Sequence, residues 1–207
     1  MIVAIESAST DPSVAVATDD GRLLQLDGWS AAPRQAHELL PRLMTALTAA
    51  GGSTSEVAGI GIGLGPGSFT GLRVGMSVAK GLAFALGCPV VGVPSLQAWL
   101  EAEPGADGAA ARAGATDAYL LLRGETEPRV VDRGGLPSEG RLVAPAELAS
   151  AFGIVAALSP TRAAAAVAAA AARHLAADPA GDDLERLEPR YLRAPRGVAA
   201  APAPGTP

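Results

Sequence analysis

The chain has 207 residues, of which 49% are hydrophobic and 3% aromatic, and its formal net charge is −5. This length allows one domain or two small lobes, but much of the apolar content is alanine, so the core must depend on Leu, Val and Ile. Lys80 is the only lysine and the fifteen arginines are scattered, which argues against direct nucleic-acid binding, because such proteins cluster Lys and Arg against phosphates. The lone cysteine, Cys88, excludes an intramolecular disulfide.

The first residues and the alanine-rich run predict neither a secretion signal nor a membrane span. The opening segment lacks a basic region and reaches Glu6 after four apolar residues. The run at 163–172 is short, weakly apolar and bounded by Arg162 and Arg173. We therefore expect a cytoplasmic protein that makes no membrane contact.

The first 50 residues predict an antiparallel meander followed by an amphipathic helix. Short apolar runs separated by tight turns indicate three strands, at residues 2–5, 13–18 and 22–26. Leucines at helical spacing then form one apolar stripe: Leu39, Leu43 and Leu47. Gly51 and Gly52 close this helix, and Pro41 must lie in or near its first turn or kink it.

Residues 57–102 predict a strand, a long helix, a second strand and a short helix. The strand at 57–65 carries glycine at every second position, which indicates that a backbone or a ligand comes close to that face. The long helix runs from about Thr70 to Leu86, with Ser68 or Thr70 as its cap, and ends at Gly87. A strand at 88–93 and a helix at 95–102 follow.

The second half carries weaker structural signals. Residues 103–116 are predicted as a loop or linker, and residues 118–123 and 128–132 as a hairpin. Short helices are predicted at 145–152 and 163–177, and the tail beyond Ala194 is too poor in apolar bulk to fold. A meander followed by alternating helices and strands predicts a mixed sheet with helices packed on it, an α/β fold.

The glycine-rich segment 63–75, "GLGPGSFTGLRVG", matches neither nucleotide fingerprint. The P-loop lysine is missing, and the dinucleotide spacing places Ser68 where a glycine is needed. Two interpretations stay open: a tight turn, which we favour, and an anion site at the helix N-terminus. The residues of this candidate vestigial anion or nucleotide loop are Glu6, Ser7, Gly65, Gly67 and Ser68.

The long helix carries a groove of small residues that lets a second helix approach closely. The groove recurs every four residues and is bordered by larger apolar side chains. Its partner is either the helix with the leucine stripe or another protein. Together, the groove and the stripe form the candidate partner-binding set: Leu39, Leu43, Leu47, Gly71, Leu72, Gly75, Met76, Ala79 and Ala83.

The residues of an enzyme are not evident in the sequence. His37 and His174 are far apart and have no cysteine near them, so no metal site is expected. No nucleophile elbow is present, and no catalytic residue is nominated. Glu6 and Asp11 are the carboxylates best placed for a phosphate or metal site, but we interpret them as solvated turn residues.

Four segments of the chain resemble the TsaB family. They are "HELLP" at 37–41, "GPGSFTGLRVG" at 65–75, "KGLAFALGCPVVGVPSL" at 80–96 and "LEPRYLR" at 187–193. The resemblance implies an actin-like ATPase (ASKHA) fold with mixed sheets flanked by helices. It implies a first lobe at 1–100 and a reduced second lobe at 101–194, whose last helix is expected to pack back on the first lobe. By its composition, the tail at 195–207 is expected to be disordered.

The TsaB resemblance also implies a function. Members of the family are non-catalytic partners of the TsaD-type subunit and, with a TsaE-type ATPase, enable threonylcarbamoyl transfer to the adenosine that follows the anticodon. Their interface uses two helices that correspond to residues 36–50 and 70–86. We therefore expect no cofactor, only indirect contact with tRNA, and a possible homodimer when the chain is alone.

The resemblance has one departure and one competing interpretation. The family's Asp-Ala-Arg segment is kept only as Asp117 and Ala118, so the strand order of the second lobe is not fixed by the resemblance. The alternative is a small ASKHA-type nucleotide-binding phosphotransferase or hydrolase. Such an enzyme needs a magnesium carboxylate and a closed cleft between full-sized lobes, and the short second lobe argues against it.

Overall fold

The computed structural model describes residues 1–30 and 35–192 and contains two five-stranded sheets with helices packed on them. The predicted disorder at 195–207 lies outside the described residues. The strands are β1 (Ile2–Glu6), β2 (Ser13–Ala17), β3 (Leu23–Gly28), β4 (Gly59–Gly63), β5 (Val90–Val93), β6 (Gly108–Arg112), β7 (Asp117–Leu122), β8 (Arg129–Asp132), β9 (Leu142–Val143) and β10 (Ala157–Leu158). The helices are α1 (Gln35–Ala49), α2 (Phe69–Leu86), α3 (Ser95–Ala102), α4 (Ala146–Phe152) and α5 (Ala163–Ala177).

The first sheet has the order β3-β2-β1-β4-β5. β1, β2 and β3 pair antiparallel, which confirms the predicted meander. β1 also pairs parallel with β4, and β4 pairs parallel with β5. The predicted α/β class is confirmed, and the parallel strands β1 and β4 end at the same edge of the sheet.

Alternate residues of β1 face opposite layers of helices. Val3 and Ile5 pack with the buried residues of α1 and α2. Ile2 and Ala4 point to the other face, which α5 covers with its alanines. A methyl group on Gly61 of β4 would lie only 3.1 Å from the backbone carbonyl oxygen of Val167 in α5. Gly61 therefore admits a helix backbone, one of the two close approaches that the glycine spacing predicts.

Both ends of α2 agree with the sequence prediction. The Ser68 hydroxyl oxygen accepts a hydrogen bond of 3.2 Å from the Gly71 N–H, which caps the first turn. Gly87 ends the helix in the left-handed conformation, with φ of 64°. α2 is also long and apolar enough to cross a membrane, a test that core helices of soluble proteins pass too.

The second sheet has the order β10-β9-β6-β7-β8, and here one prediction is wrong. The supposed linker at 103–116 contains β6, which pairs antiparallel with β7 and parallel with β9. Alanine has little strand preference, so the sequence gives no strand signal for β6. The strand is stabilised by burial on both faces, with Ala109 on the side of α3 and Ala110 on the side of α4. The predicted hairpin of β7 and β8 is confirmed.

The segment after α5 runs back along the first sheet. Asp182 N–H donates to the Val90 carbonyl oxygen over 2.8 Å, and the Gly92 N–H donates to the Asp182 carboxylate over 2.7 Å. Farther on, Arg190 N–H donates to the Leu64 carbonyl oxygen over 2.8 Å. Tyr191 therefore comes to lie beside the start of α2, where its ring packs against that of Phe69 at an interplanar angle of 42°.

Candidate functional site

Residues 65–68 of the loop between β4 and α2 are held by hydrogen bonds to two other segments of the same chain. Gly65 N–H donates to the Ser95 hydroxyl oxygen over 2.8 Å, and Ser95 N–H donates back to the Gly65 carbonyl oxygen over 3.0 Å. Ser68 N–H donates to the Ala8 carbonyl oxygen over 2.6 Å. A side chain on Gly67 would collide with that same carbonyl group. These contacts show that the glycines are needed for a tight turn. Anion binding by this loop stays a prediction.

Glu6 is not a solvated turn residue, and neither is Asp11: their exposures are 1% and 4%. The first expectation for these two carboxylates is therefore wrong. Asp11 accepts hydrogen bonds from Ala146 N–H over 3.3 Å and from the Ser159 hydroxyl over 3.4 Å. It therefore joins the β1–β2 turn to the start of α4 and to the segment that follows β10. The fold tolerates the buried Asp11 carboxylate because its Oδ2 accepts both of these hydrogen bonds.

Glu6 lies at the end of β1 under the glycine-rich loop. Its Oε1 accepts a hydrogen bond of 2.8 Å from Ala8 N–H. Burial raises the pKa of Glu6 to about 7, and the neighbouring Ala8 N–H, Ser95 hydroxyl and Trp99 indole offset part of that effect. A side chain on Gly63 would overlap the Glu6 carboxyl group, which explains the glycine there. Glu6 thus supports the loop from inside the fold.

A cleft of about 770 Å³ opens between the two sheets, next to the N-terminus of α2. The β1–β2 turn forms one part of its lining, with Ala8, Ser9 and Thr10. Gly67, Ser68 and Phe69 form the second part, and the β6–β7 turn, with Arg112, the third. Of the five predicted loop residues, the structure brings Gly67 and Ser68 to this cleft.

The nine candidate partner-binding residues are all buried within this chain. The leucine stripe of α1 and the groove of α2 both face the first sheet. Their residues in one core cluster are Leu39, Leu43, Leu47, Met76, Ala79 and Ala83. Leu72 belongs to a second cluster with Trp99. The groove is therefore internal, and the assignment of a contact surface to these residues has to be corrected. The opposite faces of the two helices are the ones left open.

The outer faces of α1 and α2 carry the exposed apolar side chains of this helix pair. Leu40 of α1 is 40% exposed, and Phe84 of α2 is 82% exposed. Gly81, one turn before Phe84, is exposed and has open space where a side chain would begin. Sequence reasoning missed Phe84, although a signal was present: this large aromatic residue lies outside the stripe that α2 buries. We call Leu40, Gly81 and Phe84 the outer helical face.

In the part of the chain that the structure describes, no three His, Cys, Asp or Glu side chains are placed to hold a metal ion. His37 is exposed on α1, and His174 lies on α5.

Comparisons with known proteins agree with this architecture. The family model of TsaD, tRNA N6-adenosine threonylcarbamoyltransferase, matches residues 30–127. The tRNA threonylcarbamoyladenosine biosynthesis protein TsaB of Escherichia coli is 33% identical over 120 residues, which cover 58% of this chain and 51% of that protein. The Haemophilus influenzae protein of the same name is 41% identical over 64 residues, 31% of this chain and 27% of that protein.

A solved structure matches over a greater length. YeaZ from Pseudomonas aeruginosa superposes with a TM-score of 0.67 at 27% identity and covers 92% of this chain and 99% of that one. The matches to the curated relatives span about half of the E. coli protein and less of the others. The resemblance predicted from the four segments is confirmed, as is the actin-like α/β fold: the chain is similar to the TsaB proteins of E. coli and H. influenzae and to YeaZ.

Proposed function

We propose that this protein is the non-catalytic partner of a TsaD-type threonylcarbamoyltransferase in the N6-threonylcarbamoyladenosine modification of tRNA. The names of the E. coli and H. influenzae relatives support the pathway. The match to the TsaD family model supports common ancestry with the transferase. A TsaE-type ATPase is the second proposed partner. Contact with tRNA is indirect, because the chain is acidic and its arginines are scattered.

The positions of the two carboxylates support a non-catalytic role. Glu6 is sealed under the glycine-rich loop, and Asp11 is bonded to Ala146 and Ser159. A general base or a magnesium ligand has to reach the substrate, and neither of these two carboxylates faces the cleft. Of the two carboxylates that do line it, Asp117 and Glu147, the second is paired with Arg112. This arrangement favours the partner role over the phosphotransferase alternative.

The outer helical face is the observation that carries the proposal. Phe84 presents most of its ring to solvent, and Gly81 leaves a flat surface beside it. Exposed aromatic side chains next to small residues are typical of the centre of a protein interface. A TsaD-type subunit would pack its own helices against this face, and a second copy of the chain would use the same face when no partner is present.

Co-elution on a sizing column with the TsaD-type protein of the same organism tests the proposal. We expect a one-to-one complex that Gly81→Leu abolishes, because the new side chain projects from the flat part of the face. Phe84→Ala weakens the complex by tenfold or more, since truncation of a central aromatic residue costs about 2 kcal/mol. Val155→Ala is the matched control: it truncates a side chain that is 100% exposed on the other lobe, and the complex is retained.

Two separate peaks from the wild-type proteins at micromolar concentration would contradict the partner role. A complex that survives both Gly81→Leu and Phe84→Ala would leave the partner role intact but place the contact elsewhere. Measurable hydrolysis of a nucleotide by the isolated chain would favour the phosphotransferase alternative.

A further inference from the structure

Glu6 is a buried ionisable side chain that the proposed partner role does not use. It lies at the end of β1 and is 1% exposed. Its Oε1 accepts the hydrogen bond from Ala8 N–H, but its Oε2 has no hydrogen-bond partner among the described residues. The Ser95 hydroxyl and the Trp99 indole lie near enough to favour the anion in part, without bonding to Oε2. A buried oxygen of this kind costs free energy, most of all when it is charged, so the closed fold favours the neutral acid.

The Glu6 carboxyl group lies between the two anchors of the glycine-rich loop. Ala8, which donates its N–H to Glu6, also accepts the Ser68 N–H through its carbonyl oxygen over 2.6 Å. Ser95, on the other side of the carboxyl group, holds Gly65 through two hydrogen bonds. The loop from Gly65 to Ser68 is therefore clamped at both ends by residues that are neighbours of Glu6.

The same loop separates Glu6 from solvent. A methyl group on Gly63, where β4 ends, would overlap Glu6 Oε2 and lie 2.8 Å from Oγ of Ser95, so the start of the loop packs directly on the carboxyl group. At the other end of the loop, Gly67 and Ser68 line the cleft between the sheets. Displacement of the loop opens a path from the cleft to Glu6. Water that enters by this path supplies the hydrogen bonds that the anion lacks in the closed fold.

The groups that touch the Glu6 carboxyl group are uncharged. The strands beside β1, which are β2 and β4, contain no ionisable residue. The ionisable side chains of the other surrounding elements are Asp11 in the turn after β1, Arg73 and Lys80 on α2, Glu101 on α3, and Arg173 and His174 on α5. Asp11 is bonded to Ala146 and Ser159, and Glu101 is paired with Arg173. Burial, and not a neighbouring charge, therefore raises the pKa of Glu6 to about 7.

We propose that Glu6 is a proton-controlled latch on the glycine-rich loop: the neutral acid keeps residues 65–68 closed, and ionisation favours an open loop in which water from the cleft solvates the carboxylate. The closed loop keeps the proton up to about pH 7, whereas an open loop returns Glu6 to its usual pKa of 4.5. Opening between these values therefore releases a proton, so its equilibrium constant rises about tenfold for each pH unit and becomes constant above pH 7. The latch is a property of the isolated chain and does not depend on the partner.

Hydrogen exchange of the isolated protein, followed at single amides by NMR from pH 5 to 8, tests the latch. A protection factor compares the observed rate with that of an unfolded peptide at the same pH, so it changes with pH only where opening takes up or releases a proton. We expect protection of the Gly65 and Ser68 amides to fall about tenfold per pH unit and to become constant above pH 7. Glu6→Gln, which is neutral at every pH, removes this slope. Ser95→Ala is the matched control: it lowers protection at Gly65 by about fivefold, but it keeps Glu6 and therefore the slope at Ser68.

The Ile60 amide distinguishes local opening from global unfolding. Its N–H donates to the Pro89 carbonyl oxygen over 3.0 Å inside the first sheet, so we expect it to be more protected than the two loop amides. Low concentrations of urea accelerate exchange at Ile60 and leave the loop amides unchanged, because only global unfolding exposes much surface. Loop amides that are as protected as Ile60 overturn the proposal.

Three further results would overturn the latch. They are a flat pH profile at both loop amides of the wild type, an unchanged slope in Glu6→Gln, and loss of the slope at Ser68 in Ser95→Ala. Circular dichroism shows whether Glu6→Gln is folded. If it is not, the carboxyl carbon resonance of Glu6 is titrated in the wild type instead. Its midpoint has to coincide with the pH at which loop protection becomes constant, and a midpoint near 4.5 contradicts the latch.

Discussion

Gly75 of α2 faces Ser7 so closely that a methyl group on its Cα would overlap the Ser7 hydroxyl. The same methyl group would also lie 3.2 Å from Cδ1 of Ile62 on β4. The small residues of α2 therefore let this helix approach its own sheet. The spacing of the groove predicts close approach by a second helix; the packing here is close, but Gly75 meets the protein's own first sheet and the residue that follows β1.

Two glycines of α2 respond in opposite directions to the same substitution. Gly75→Ala destabilises the fold by about 1–3 kcal/mol, because the methyl group overpacks the contact with Ser7 and Ile62. Gly81→Ala stabilises the isolated protein by about 0.5–1 kcal/mol, because its side chain meets open space and alanine loses less entropy in a helix. Urea unfolding of the three proteins measures both values. A Gly75→Ala protein as stable as the wild type would show that this contact is loose.

Glu6 makes stability depend on pH in the direction opposite to that of most carboxylates. The folded state keeps its proton up to about pH 7, whereas the unfolded chain releases it near the usual 4.5. Between those values the folded state binds more protons, so the free energy of unfolding falls as pH rises, by about 3 kcal/mol in total. Glu6→Gln, which is neutral at every pH, removes this slope. Urea unfolding between pH 5 and 8 measures it, and equal slopes in both proteins would contradict the assignment to Glu6.

The cap of α2 contributes to stability through one hydroxyl. Ser68→Ala leaves the Gly71 N–H without its acceptor and lowers the free energy of unfolding by about 1 kcal/mol. Ser68→Asp restores an acceptor and most of that stability. Ser77→Ala, at an exposed position in the middle of the same helix, is the control and leaves stability within about 0.5 kcal/mol of the wild type. Thermal unfolding followed by circular dichroism distinguishes the variants.

Asp11 joins the β1–β2 turn to the start of α4. Asp11→Ala removes the acceptor of Ala146 N–H, so hydrogen exchange at the Ala146 amide becomes faster and overall stability falls by about 1–3 kcal/mol. Asp11→Asn keeps a side-chain oxygen and retains part of the protection. If exchange at the Ala146 amide is unchanged in Asp11→Ala, the hydrogen bond from Ala146 to Asp11 does not hold the turn to α4.

The sequence predicted the elements whose ends carry local signals. α2 begins at a serine cap and ends at a glycine, and both signals are independent of the rest of the fold. β6 could not be predicted in this way, because an alanine strand forms only when two helix layers bury it. The burial of Glu6 and the inward direction of the α2 groove likewise depend on tertiary packing. Periodicity identifies a face of a helix but not what covers it.

The packing of α5 on the first sheet has a consequence for folding during synthesis. Ile2 and Ala4 are synthesised long before the helix that covers them, Ala163–Ala177, which is made after the whole second sheet. Until then, one apolar face of the nascent first sheet is open to solvent. Chains are synthesised at about 5–20 residues per second, so this face stays uncovered for several seconds. During that time it can bind chaperones or aggregate. A fragment that ends at α3 keeps this face exposed permanently.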